Sequence, residues 1–397
     1  MRSKLGKNNQ QWIFDYIIRT TGKTAHWELD AAMEKLPSEV KSWDMIPKFF
    51  AKKAAREEEF ARRAEEAGHL STALEAYCRA SRNYFNAQHY ICEDDNPEKI
   101  RLNEKLQYCN EKVRKYVGHP VEKLEIPWGD KTVPALLHLV PDRKKAPCVL
   151  YIPGMDSSKE MFPTQPTSPV VNPNPFIQRG MHAMAIDLPG QGECNLRKIR
   201  ANPSAHKEAA KAAIDYLMTR PEVDGNKIGL YGISMGSFWG SDIAGADNRI
   251  KATVTALGCY FVNKHTIFDE TSPRFRLTFK YMAGIEDDDE FDEMTAKMTL
   301  KGVGKNIKNP FLIWIGEFDP LCPLEEAEAF FDEIAGPKEM WIMEDDFHAA
   351  FARGLDSIPM PHFAADWLKG KLEGKYPKDL ARKVLIPLNG MGPYTSE

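Results

Sequence analysis

A serine hydroxyl becomes a useful nucleophile when a tight strand-to-helix turn holds it beside a base, with a backbone N–H next to the developing oxyanion. The stretch Tyr231-Gly232-Ile233-Ser234-Met235-Gly236-Ser237 has the residues for such a turn, directly after Lys227-Ile228-Gly229-Leu230, which reads as a buried strand. Glycines at 232 and 236 leave the room that a sharp turn needs, because side chains there would meet the neighbouring strand and helix. The Gly-x-Ser-x-Gly spacing also arises in ordinary loops. Its chemical meaning therefore depends on whether an acid and a base stand at the right places further along the chain.

Two partners do so, in the order serine, acid, histidine that α/β-hydrolases use. Phe311-Leu312-Ile313-Trp314-Ile315-Gly316 reads as a continuous buried strand, with Glu317-Phe318-Asp319-Pro320 at its C-terminal end, where open α/β sheets place functional groups. Asp319 is the expected triad acid. It lies further beyond the strand than its rival Glu317 and stands directly before a proline, which breaks a strand. A further strand, Lys338 to Met343, leads to Glu344-Asp345-Asp346-Phe347-His348, and His348 is the expected base. Of the ten histidines, His182, His206, His265 and His362 fall beside strands, on helices or in a lid segment, and read as structural or surface residues.

The loop Pro153-Gly154-Met155-Asp156-Ser157-Ser158-Lys159-Glu160 comes after the third expected strand. Amides at Gly154 and Met155 are expected to complete an oxyanion hole with the N–H of Met235. Asp156 stands out there, since a carboxylate beside an oxyanion hole opposes the charge the hole stabilises. It would have to be protonated, turned away or catalytic: a carboxylic acid of raised pKa directed at the substrate is one reading, and a cap on the next helix through Ser158 and Glu160 is another. Asp187-Leu188-Pro189-Gly190-Gln191-Gly192 reads as a structural turn after the fourth strand.

The elements that position these groups can be read from pattern. With 397 residues, 43% hydrophobic and 28% charged, the chain has material for one large domain and a smaller companion. Residues 1–118 are expected to form an N-terminal helical cap: they are rich in Ala, Glu, Lys, Arg and aromatics. Residues from Phe60 to Ala80 carry apolar side chains at helical spacing, like a single tetratricopeptide hairpin without a second copy. Residues 119–397 are expected to form the catalytic domain. It opens with a hairpin, Val121 to Ile126 and Val133 to Leu139, and continues with buried strands alternating with helices, as in a mostly parallel sheet covered on both faces. An insertion at about 259–306 interrupts that rhythm and reads as a helical lid, its run Glu286-Asp287-Asp288-Asp289-Glu290 being a solvated face. Tyr260, Phe261, Phe268 and Tyr281 are the expected substrate-binding residues of that lid.

A formal net charge of −4 gives no reason to expect nucleic acid or an anionic membrane as partner. Seven cysteines without a CxxC pair or a metal-ligand rhythm point to a reducing, cytoplasmic setting and to no metal site. Met1 to Asn9 lacks the apolar run of a signal peptide. No cofactor is expected, and the expected partners are a small-molecule substrate and a second copy of the chain in a homodimer.

Taken together, the Gly-x-Ser-x-Gly elbow, the strand-end Asp319, the Phe347-His348 loop and the Gly-Met-Asp-Ser-Ser-Lys-Glu loop resemble the α/β-hydrolases with an N-terminal helical domain. This group includes 2,6-dihydroxypseudooxynicotine hydrolase and the fungal melanin-pathway hydrolases that shorten polyketide chains. The resemblance implies an α/β-hydrolase fold with a helical cap over nearly the whole length, and hydrolysis of a C–C bond next to a ketone. It also implies a fourth catalytic acid at Asp156, where those relatives usually carry the longer Glu. Carboxylesterase or lactonase activity is the alternative, and a silenced hydrolase fold serving as an interaction protein is a third reading.

Overall fold

The computed structural model describes residues 16, 18, 19, 36–161, 174–348 and 360–387. Its first part is helical: α1 (Met45–Glu66), α2 (Leu70–His89) and α3 (Pro97–Tyr116). Ala-rich faces let α1 and α2 pack closely through Ala54, Ala61, Ala73, Ala76 and Ala80, all buried. Asn96 starts α3 by accepting from the amides of Glu98 and Lys99, with Pro97 in the first turn, where its missing N–H costs nothing. These helices enclose a core of their own. The expectations that fall on residues 11–15 and 20–35 lie outside the described residues.

From Val121 onward the chain builds one nine-stranded sheet in the order β1-β2-β4-β3-β5-β6-β7-β8-β9. The strands are β1 (Val121–Trp128), β2 (Lys131–His138), β3 (Ala146–Ile152), β4 (His182–Ile186), β5 (Val223–Ile233), β6 (Ile250–Ala256), β7 (Phe311–Gly316), β8 (Lys338–Met343) and β9 (Ala381–Ile386). β1 and β2 form an antiparallel hairpin across Gly129-Asp130, β2 runs antiparallel to β4, and every later pair is parallel. This is the α/β-hydrolase architecture expected from the sequence.

Alternation explains why the central strands β3 and β7 are apolar throughout: successive side chains point to opposite faces, and both faces are covered. Cys148, Leu150 and Ile152 of β3, with Phe311, Ile313 and Ile315 of β7, feed one core. Val149, Tyr151, Leu312 and Trp314 feed the other. The first core is covered by α4 (Ala205–Thr219), α5 (Met235–Ala246), the lid helices α6 (Pro273–Ala283) and α7 (Asp288–Thr295), and α8 (Leu324–Glu333). α9 (Met360–Leu372) lies on the second.

The acidic run of the lid behaves as a solvated face: Asp287 caps α7 by accepting from the amides of Asp289 and Glu290, and Asp288 pairs with Lys280 at 2.6 Å. Among the described residues no helix is long and apolar enough to cross a membrane. All seven cysteines are free thiols.

Backbone packs closely behind the elbow. A Cβ at Gly236 would stand 2.2 Å from the Ile152 carbonyl oxygen, and one at Gly232 would stand 2.3 Å from that of Gly236. Both neighbours are backbone and cannot swing aside. Gly236→Ala is therefore expected to destabilise the fold by about 3 kcal/mol, as severe overpacking does, measured as a lower midpoint in urea unfolding.

Candidate active site

Ser234 caps the end of β5 with φ +54° and ψ −126°, a conformation that a serine holds only when its surroundings impose it. Its N–H donates to the Ala256 carbonyl at 2.8 Å, and Ser237 Oγ donates to the same oxygen at 2.8 Å. The turn is thus tied to the neighbouring strand β6 from both sides.

His348 reaches the site from the loop after β8. Its Nε2 lies 2.9 Å from Ser234 Oγ and its Nδ1 lies 2.8 Å from Asp319 Oδ2. The Asp319 side chain is fully buried. Its other oxygen accepts from the amides of Leu321 at 2.9 Å and Cys322 at 3.2 Å, which fixes the carboxylate's orientation. Glu317, the rival, points elsewhere and accepts from the Asp345 amide at 3.0 Å. The other candidate histidines serve the fold. His182 accepts from the Val140 amide and donates to the Glu222 carbonyl, His206 pairs with buried Asp242 at 2.9 Å, and His265 bonds Thr295 Oγ1 at 2.8 Å. His362 lies half-buried on α9.

Beside the serine runs the loop after β3. A Cβ on Gly154 would come within 3.0 Å of Ser234 Cβ and of the Ile233 carbonyl, so only glycine lets this backbone approach the nucleophile so closely. The loop is held from beneath by Gln191, whose side-chain amide donates to the carbonyls of Pro153 at 3.0 Å and Gly154 at 2.7 Å while its oxygen accepts from the Leu188 amide. Sequence reasoning missed Gln191. The glycines around it mark a turn, but nothing in the local pattern says what its side chain grips.

Asp156 is turned toward side chains of two other elements. It caps no helix: Ser158 donates to Glu160 instead, and the single turn Lys159–Met161 starts without it. Nor is it a neutral acid. Its Oδ1 lies 2.7 Å from His89 Nε2 of α2 and 2.9 Å from Arg274 Nη1 of α6. Crowding by neighbouring atoms opposes its ionisation, though 36% of the side chain stays exposed, and the Arg274 charge and the His89 hydrogen bond outweigh that and hold the carboxyl well below the usual carboxylate range.

Behind the loop sits a charged cluster that the sequence did not announce. Lys159, fully buried, places its ammonium 2.6 Å from Glu160, 2.8 Å from Asp187 and 2.6 Å from Glu193. Burial alone would strip its proton; the three carboxylates outweigh burial and hold it charged, with a pKa well above the ordinary lysine range. These carboxylates have oxygens within 4.8 Å of one another, close enough to ligate a metal ion, but the ammonium already provides the positive charge among them. Asp187 also accepts from the amides of Lys159 and Glu193, so the turn expected to be structural anchors the loop after β3. Lys159→Met should leave three carboxylates facing one another and cost about 3–5 kcal/mol, read from the urea midpoint.

Of the four lid aromatics, two are core residues and not pocket walls. Tyr260 is fully buried, stacked on Phe330 at 5.0 Å with its hydroxyl 2.9 Å from Thr255 Oγ1. Phe268 packs between Phe279 and Phe291 inside the lid. Phe261 is half-buried against the same core, with the Lys264 ammonium 4.8 Å from its ring centre. Tyr281 alone of the four lines a small recess, about 20 Å³ in volume, between the helical unit, the loop after β3 and the lid, shared with Gln88, His89, Lys99, Met155 and Asn195. Neither Ser234 nor His348 lines it. Lys99, also missed from sequence, donates from this buried position to the carbonyls of Gln88 and Ile91, and burial pulls its pKa down to about 8.

Residues 210–314, from within α4 to within β7, match the family described as BAAT / Acyl-CoA thioester hydrolase C terminal. The α/β hydrolase xenA of Xenoacremonium sinensis is 32% identical over 216 residues, 51% of this chain and 48% of xenA. The α/β hydrolase gkaG of Penicillium citrinum is 30% identical over 242 residues, 57% of this chain and 53% of gkaG. The chain thus matches about half the length of these curated relatives. The crystal structure of 2,6-dihydroxy-pseudo-oxynicotine hydrolase is similar with a TM-score of 0.72 and 21% identity, over 87% of this chain and 93% of that one. AbyA5 is similar with a TM-score of 0.61 and 16% identity, over 84% of this chain and 89% of its own. The chain has the α/β-hydrolase fold and resembles these proteins.

Proposed function

We propose that this α/β-hydrolase is a working serine hydrolase in which Ser234, His348 and Asp319 act as one unit on the carbonyl carbon of a small molecule. The observation that carries the reading is the hydrogen-bonded line from Ser234 Oγ through the His348 ring to Asp319, at 2.9 and 2.8 Å, on a serine held at φ +54°. Ser234 Oγ attacks the carbonyl carbon while His348 Nε2 takes its proton. Asp319 holds the Nδ1–H, which keeps the imidazole in the right tautomer and stabilises its charged form. The negative oxygen that develops is met by the amide of Met235 and those of Gly154 and Met155. His348 then returns the proton to the leaving group, and water, activated by the same imidazole, releases the acyl group from Ser234.

An oxygen leaving group needs nothing beyond His348, so hydrolysis of an ester or lactone is the reaction this site supports best. Cleavage of a C–C bond beside a ketone would draw on Asp156 to protonate or orient the substrate, and a carboxylate paired with Arg274 and His89 favours neither role. The free cysteines support a reducing compartment. The wild-type protein, assayed on a small aryl ester, an aryl lactone and an aryl 1,3-diketone, is expected to show kcat/KM at least about a hundredfold higher on the oxygen esters, a gap of about 2.7 kcal/mol in transition-state stabilisation. A preference for the diketone would return the carbon–carbon reading to first place.

A further inference from the structure

Asp156 directly follows Met155, whose amide is proposed to meet the oxyanion, and turns its carboxylate to His89 and Arg274. Its two partners come from separate parts of the chain, 67 residues before it and 118 after it. His89 is the last residue of α2 and stacks on Phe85 with ring centres 5.3 Å apart. Arg274 is in the first turn of lid helix α6, almost fully buried, with its guanidinium 4.1 Å from the Phe275 ring centre. The Asp156 carboxylate keeps 36% exposure, so water screens these contacts in part and the shielding comes from the Arg274 side. On its other side the loop is held by Gln191, through the Pro153 and Gly154 carbonyls, and by Asp187, through the Lys159 amide.

We infer that His89 and Arg274 are positioning residues for the reaction: Arg274 balances the Asp156 charge, His89 hydrogen-bonds the same carboxylate, and together they clamp the loop after β3, so that the oxyanion hole is complete only while both the helical unit and the lid are docked. Neither touches the reacting atoms. They act through the loop, which makes the helical unit part of the catalytic assembly and not merely a cover. The inference rests on the reading of Ser234 as the nucleophile of a serine hydrolase.

The test uses the full chain and an aryl acetate, with kcat expressed per site titrated by a fluorophosphonate so that unfolded protein drops out. Hydrolysis and titration of the wild type secure the serine-hydrolase reading first; their absence would count against that reading, separately from the clamp. Arg274→Gln strips the compensating charge and is expected to lower kcat per titrated site by about tenfold, less than the about hundred- to thousandfold of losing an oxyanion donor outright, with KM within about twofold. His89→Ala should fall in the same direction, and His89→Gln, which keeps a side-chain N–H, should recover most of the loss. Adding Asp156→Asn to Arg274→Gln removes the bare carboxylate and should raise kcat above that of Arg274→Gln alone. A merely structural pair would show lower melting temperatures and fewer titratable sites at unchanged kcat per site. That result, or a double variant no faster than Arg274→Gln, would overturn the inference.

Discussion

Ser234→Ala should reduce turnover by about five to six powers of ten while leaving a folded protein. The substitution removes only the Oγ that His348 Nε2 approaches at 2.9 Å. The backbone bond from residue 234 to the Ala256 carbonyl and the glycines behind the elbow are untouched, so the melting temperature is expected to stay within a few degrees. Because the three groups act as a unit, Ser234→Ala combined with His348→Ala should be hardly worse than Ser234→Ala alone. Steady-state kinetics on the ester of choice, with melting curves on the same preparations, check both statements.

Asp319→Asn is expected to lower kcat by about ten-thousandfold. The amides of Leu321 and Cys322 would still hold one oxygen at position 319, but an amide nitrogen facing His348 Nδ1 would force the wrong tautomer and leave Nε2 as a poor base. Glu317→Gln should be mild, within about threefold of wild type, since Glu317 only accepts from the Asp345 amide in a turn and its neutral counterpart can do the same. The contrast between two carboxylates two residues apart isolates chemistry from packing. If Glu317→Gln proved the damaging change, the acid has been misidentified.

The parts of this molecule that were legible in the sequence are those where the local pattern and the tertiary position coincide. Strands such as β3 and β7 are apolar on both sides because both faces of the sheet are covered, so their runs stand out, and the residues just past their C-terminal ends are placed by the fold itself. Ser234, Asp319 and His348 were found by that rule, and the structure brings them within hydrogen-bond distance. β9 was not found: most of its residues are exposed, and Ala381-Arg382-Lys383 reads as an ordinary polar connection. Its pairing with β8 is set by tertiary contact alone.

Side-chain direction was less legible. Aromatic content marked the lid, but the same residues serve a pocket wall or a core, and Tyr260 and Phe268 turned inward to Phe330, Phe279 and Phe291. Asp156 stood out in the sequence, but its partners could not be read there, because they lie far away in sequence on amphipathic helices where one His or Arg looks like any other. Gln191 and Lys159 were invisible for a related reason. A buried polar side chain needs partners to be tolerated, and those partners, the Pro153 and Gly154 carbonyls for one and Glu160, Asp187 and Glu193 for the other, come together only in the folded chain.

Whether Ser234 is an activated nucleophile is decided by treating the native protein with a fluorophosphonate and locating the adduct by peptide mass spectrometry. One stoichiometric adduct is expected, on Ser234, formed quickly in the wild type, slowly in His348→Ala and not at all in heat-denatured protein. An enzyme that hydrolyses its ester yet carries no adduct at Ser234, or carries it on another residue, would show that the nucleophile lies elsewhere.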